Sequence, residues 1–91
     1  MLDKMKDLFE GLREQLNSHY SWPALYTFKF VVPSGSRSKL LEVVPQHSEI
    51  TEKKSKTGKY TSVTIRKVMG SAEEIISAYK RIKTVEGVIS L

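Results

Sequence analysis

The chain has 91 residues, 40% of them hydrophobic and 27% charged, which allows one modest core and leaves no room for a second. It contains no cysteine, so disulfide staples and thiolate metal sites are excluded, and the composition is that expected of a cytoplasmic domain held by packing alone. Fifteen Lys and Arg against ten Asp and Glu give a net charge of +5, concentrated after residue 25, where twelve basic groups meet six acidic ones; this reads first as a solubility device and second as attraction for polyanions.

The first residues interleave Asp3, Lys4, Lys6 and Asp7 with isolated apolar positions, the pattern of neither an export leader nor a membrane span. Leu2, Met5, Phe9, Leu12 and Leu16 recur at steps of three and four, which places them on one side of an amphipathic helix over about residues 2–17. Gly11 weakens that helix, so docking of its stripe must hold it, either on its own domain or on a partner. The helix and its connector, residues 1–20, lead into a single domain over 21–91. Trp22 is driven toward extended backbone by Pro23. Tyr26, Phe28, Phe30 and Val32 then alternate with polar Thr27 and Lys29, the mark of a half-buried strand.

Pro33-Ser34-Gly35-Ser36 ends this strand and offers a serine cap to a short helix bearing Leu40, Leu41, Val43 and Val44, which Pro45 stops. Residues 48–56 hold one large apolar side chain, Ile50, among lysines, the composition of a protected edge strand. Thr57-Gly58 turns the chain into a second alternating run, Tyr60 to Val68, with Val63 and Ile65 on one side and Ser62, Thr64 and Arg66 on the other. Ser71 and Glu74 make a capping box before a helix with the stripe Ala72, Ile75, Ile76, Tyr79 and Ile82. Glu73 and Glu74 at its start and Lys80, Arg81 and Lys83 at its end suit the helix dipole. Residues 85–91 form a last short strand.

After the leading helix the order is strand, helix, strand, strand, helix, strand. This predicts an α+β, ferredoxin-like βαββαβ split fold, with a four-stranded antiparallel sheet and two helices on one face. Phe28, Phe30, Val63, Ile65, Ile89 and Leu91 are expected on the covered face. Thr27, Lys29, Ser62, Thr64, Arg66 and Ser90 are expected on the open one, unless the leading helix lies across it.

Trp22-Pro23, Tyr26-Thr27-Phe28-Lys29-Phe30, Val43-Val44, His47 and Gly58-Lys59-Tyr60-Thr61-Ser62-Val63-Thr64-Ile65 together resemble the YbeD-like family of small bacterial proteins over residues 20–91. The resemblance implies a fold similar to that of ACT regulatory domains, which bind small effectors, and with it a regulatory role. The chain departs from the family pattern in a shorter helix before Pro45 and a longer leading helix.

The chain carries two His, no Cys, and no nucleophile-elbow, phosphate-loop or paired-His motif; it is therefore read as non-enzymatic, without cofactor or metal. His19 and His47 read as surface or helix-end residues. Three binding surfaces are candidates. Ser34, Gly35, Ser36 and Arg37 combine backbone amides, hydroxyls and a guanidinium at a helix start, a set suited to a carboxylate-bearing metabolite, and the same set also serves as a plain strand-to-helix turn. Lys29, Lys53, Lys54, Lys56, Lys59, Tyr60 and Arg66 form the alternative, a basic sheet and hairpin for single-stranded RNA, although only Tyr60 is left to stack on bases. Leu2, Met5, Phe9, Leu12 and Leu16 form a stripe for a protein partner or a second copy should the leading helix project.

Overall fold

The computed structural model describes residues 2–91, with side chains from Phe9 onward. Helix α1 (Leu2–His19) is followed by strand β1 (Ala24–Pro33), a 3-10 turn (Ser34–Ser36), helix α2 (Arg37–Val43), strands β2 (Glu49–Lys54) and β3 (Tyr60–Met69), helix α3 (Ala72–Ile82) and strand β4 (Ile89–Ser90). The sheet is antiparallel with order β2-β3-β1-β4. This is the ferredoxin-like arrangement expected from the element order: both crossovers span one intervening strand, which leaves β1 and β3 central.

The register explains the faces. Phe28 pairs with Ile65 and Phe30 with Val63, and these four are buried beneath the helices together with Val32, Leu40, Ile75 and Ile82. Alternation then places Thr27, Lys29, Ser62, Thr64 and Arg66 on the opposite, open face. Helix α3 starts as its sequence requires: Ser71 Oγ accepts from the Glu74 amide, and the Glu74 carboxylate accepts from the Gly70 amide at 3.0 Å.

From Phe9 onward helix α1 does not lie across the open face. It packs beside α3 on the covered side, with Leu16 buried and Leu12 partly buried against the core. Arg13 pairs with Glu73 of α3, and Lys80 lies 5.4 Å from the centre of the Phe9 ring. The side chains of Leu2 and Met5 lie outside the described residues. At the joint between α1 and β1, Tyr20 stacks on Trp22 and meets Tyr26 edge-on, and the Trp22 indole donates to Asn17. Tyr26 and Tyr79 then share a hydroxyl hydrogen bond of 2.9 Å, and among the described residues no buried side-chain polar atom is left unpaired. Burial, helped by that bond, pushes the Tyr79 hydroxyl well above the usual tyrosine range.

Two expectations are corrected. Ile89 pairs with Val31 and is exposed on the open face, and Leu91, whose amide donates to the Lys29 carbonyl, follows it there; Ser90 sits opposite Phe30 on the covered side. The cause is Gly87. Its positive φ of 76° interrupts the alternation, and a Cβ there would lie 2.6 Å from the Pro33 ring, so Val85 and Val88 face the core in place of Ile89 and Leu91. The second correction concerns α2, whose N-terminus has no side-chain cap. Ser34 turns away from it and donates to the Gly58 carbonyl at 2.7 Å while meeting the Thr61 hydroxyl at 2.9 Å, which ties the end of β1 to the β2–β3 hairpin.

Candidate functional site

In the loop after β1 two of the candidate side chains are engaged within the fold. Ser34 is engaged by Gly58 and Thr61, and its amide donates to the Lys59 carbonyl. Arg37 forms a two-pronged pair with Glu52 of β2, with the second contact at 2.8 Å, and that hydrogen bonding holds the Glu52 carboxyl below the usual carboxylate range. Gly35 is exposed and Ser36 half-buried, and the Ser36 side chain makes no cap hydrogen bond to α2. The guanidinium reserved for a ligand in the sequence reading therefore clamps α2 to the edge strand.

The basic residues fall into two groups. Lys29, Lys53 and Arg66 stand on the open face, where Arg66 pairs with its cross-strand neighbour Glu49 at 3.2 Å. Lys54, Lys56 and Lys59 cluster at the exposed end of the β2–β3 hairpin, as edge protection requires. Tyr60 is exposed at the start of β3 beside Pro33, two rows from the next central position, and no second aromatic joins it on the open face among the described residues.

The open face carries instead a feature that the sequence reading passed over. Among the described residues, the exposed large apolar side chains are Ile50, Tyr60 (48%), Leu25 (49%), Ile89 (55%), Val68 (60%) and Leu91 (74%), and all but Ile50 lie on this face. Leu25 and Val68 are direct cross-strand partners at one end, while Ile89 and Leu91 flank Val31 and Lys29 at the β4 edge. The parity of Leu25 with Thr27 and of Val68 with Arg66 was visible in the sequence and was the available signal.

The same region holds an unfilled strand edge. β1 spans ten residues, yet β4 pairs only with Phe30 and Val31, and Leu91 adds one bond to the Lys29 carbonyl. Since Lys29 directs its peptide groups toward β4, alternation directs those of Thr27 and Leu25 the same way, and no backbone hydrogen bond meets them there among the described residues. The free edge and the apolar open face are thus contiguous.

On the covered side a cleft of about 470 Å³ separates α1 from α3 and the β1–β4 edge. Phe9, Leu12, Phe30, Tyr79, Ile82 and Val88 line it, with Lys83 and Ser90 as its polar members. Among the described residues no group of three or more His, Cys, Asp or Glu lies together, and no helix is long and apolar enough to cross a membrane.

A family model described as "Protein of unknown function (DUF493)" matches residues 17–91, which include every strand, α2 and α3 but only the end of α1. The chain belongs to this family. No curated protein and no solved structure matches. Within the DUF493 frame, the open face and the free β1 edge are built wholly from matched residues, whereas Phe9 and Leu12 of the cleft lie before the match begins.

Proposed function

We propose that this DUF493 domain is a non-enzymatic binding module of the ACT-like regulatory kind, which takes up an extended segment of a protein partner as an added strand. The observation that carries the reading is that, among the described residues, no strand covers the β1 edge at Leu25 and Thr27. Main-chain hydrogen bonds along such an edge provide affinity, and alternate side chains provide selection. An added strand in line with β4 would lay every second side chain beside Leu25 and Thr27, with Val68 one strand further in, covering apolar surface that is otherwise wet. Lys29 has no ion pair on the open face among the described residues, so an acidic side chain on the incoming segment complements it. The lack of cysteine supports a cytoplasmic setting for this role.

Selection from a library of displayed extended peptides tests the reading. Enriched sequences should place apolar and acidic residues together at every second position, facing Leu25 and Lys29, shift the amide resonances of Leu25, Thr27 and Lys29, and lose binding to a Thr27→Pro variant. Peptides that bind equally well to Thr27→Pro would refute strand addition. Salt-sensitive binding of single-stranded RNA centred on Tyr60 and Arg66, with no peptide selected, would transfer the function to the nucleic-acid reading.

A further inference from the structure

We infer that the cleft between α1, α3 and the β1–β4 edge is a binding site for a small amphipathic monoanion, an apolar chain or ring ending in a single carboxylate. This site is distinct from the open face, which lies on the other side of the sheet.

Three observations carry it. The first is the gap itself. At its C-terminal end α1 seats Leu16 in the core, but Leu12 and Phe9 are only partly buried, and about 470 Å³ is left between them and α3. That volume lies within the range of sites for small organic molecules, and it contrasts with the tight packing of Phe28, Ile65 and Ile75 immediately beyond it. The second is the lining. Phe30 and Ile82 form an apolar floor, and Leu12 and Val88 form apolar walls that suit a hydrocarbon body. The third is the placement of charge. Lys83 is the one charged residue among the described lining residues, with the Ser90 hydroxyl beside it as a further donor, and Lys80 approaches from α3 over the Phe9 ring.

The charge pattern defines the class of ligand. Among the described residues the cleft offers a cation, Lys83, and no carboxylate, which favours an anionic ligand end over an ammonium one. A second anionic group would find no cation deep in the apolar part. One anionic end at the mouth and one apolar body within is the complement. The α1 wall of the site, Phe9 and Leu12, lies before residue 17, where the family match begins.

Titration of the full chain with octanoate, octanol and octylammonium, followed by amide NMR, tests the inference. Octanoate should shift Leu12, Tyr79, Lys83, Val88 and Ser90 saturably, octanol should bind more weakly, and octylammonium should leave these resonances in place. Lys83→Met should weaken octanoate by about 1.5-fold to fivefold while leaving octanol unchanged, the range expected for one solvent-accessible ion pair. Leu12→Trp, which fills the cleft, should abolish binding, with thermal unfolding confirming that the variant is folded. Absence of saturable shifts with octanoate at millimolar concentration would overturn the site. Equal binding of all three compounds, or octanoate affinity unchanged in both variants, would overturn it equally.

Discussion

Two threonines on the open face provide a direct measure of whether the β1 edge is free. Thr27 of β1 and Thr64 of β3 are the same residue type on the same side of the sheet, and both are replaced by proline, which has no amide hydrogen. The Tyr60 carbonyl accepts from the Ser55 amide across the hairpin, so the even-numbered residues of β3 direct their peptide groups toward β2, and Thr64 bonds opposite Thr51. Thr64→Pro deletes that ladder bond, leaves an acceptor unpaired and strains the strand, for a cost of about 3 kcal/mol. Thr27→Pro deletes no internal bond, and Tyr26 before it already has the extended backbone that proline demands, so its cost is about 1 kcal/mol, the span of strand propensity. For a domain of this size each kcal/mol moves the melting temperature by roughly 4–8 °C, so the variants should melt roughly 10 °C apart by circular dichroism. Equal melting temperatures, or a Thr27→Pro variant as damaged as Thr64→Pro, would show that the Thr27 amide already has a partner and would remove the basis for strand addition.

Other outcomes follow from the packing and the ion pairs. Ile75→Ala, at a fully buried position of α3, should lower unfolding free energy by about 2–5 kcal/mol in a denaturant titration. Ser71→Ala removes the cap of α3 and should cost about 1 kcal/mol in the same assay. Tyr26→Phe leaves the Tyr79 hydroxyl unpaired and should cost about 1–3 kcal/mol, whereas Tyr26→Phe with Tyr79→Phe should recover most of that loss. Hydrogen bonds from Arg37 and Arg13 hold the Glu52 and Glu73 carboxyls below their unfolded values. The stability these pairs add is therefore complete near neutral pH and is lost as pH falls through the lowered values, so Glu52→Gln with Glu73→Gln should flatten the acid-side decline of melting temperature, as should high salt.

Periodicity made most of the architecture readable. Phe28, Phe30, Val63 and Ile65 declare the covered face by alternation, and Ser71 with Glu74 declares the start of α3, because these signals are local and the fold agrees with them. The last strand was misread because alternation was carried unbroken through Gly87, whose left-handed backbone resets it against Pro33. The contacts of Ser34 and Arg37 were hidden for a different reason: both side chains pair with residues at least fifteen positions away, Glu52 for Arg37 and Gly58 and Thr61 for Ser34, and no local pattern encodes such a pairing. The free β1 edge was equally hidden, since a strand's own sequence does not state how much of it a neighbour covers. The cleft depended on where α1 docked, and its stripe left open whether it would pack on its own domain or on a partner.

The joint between α1 and β1 also equips the protein with its own optical probe. Trp22 is the sole tryptophan, and it is pinned between Tyr20 and the Asn17 side chain at the point where the leading helix meets the sheet. Its emission thus follows the seating of that helix separately from melting of the strands, and a fluorimeter suffices to see whether occupancy on one side of the molecule loosens the other.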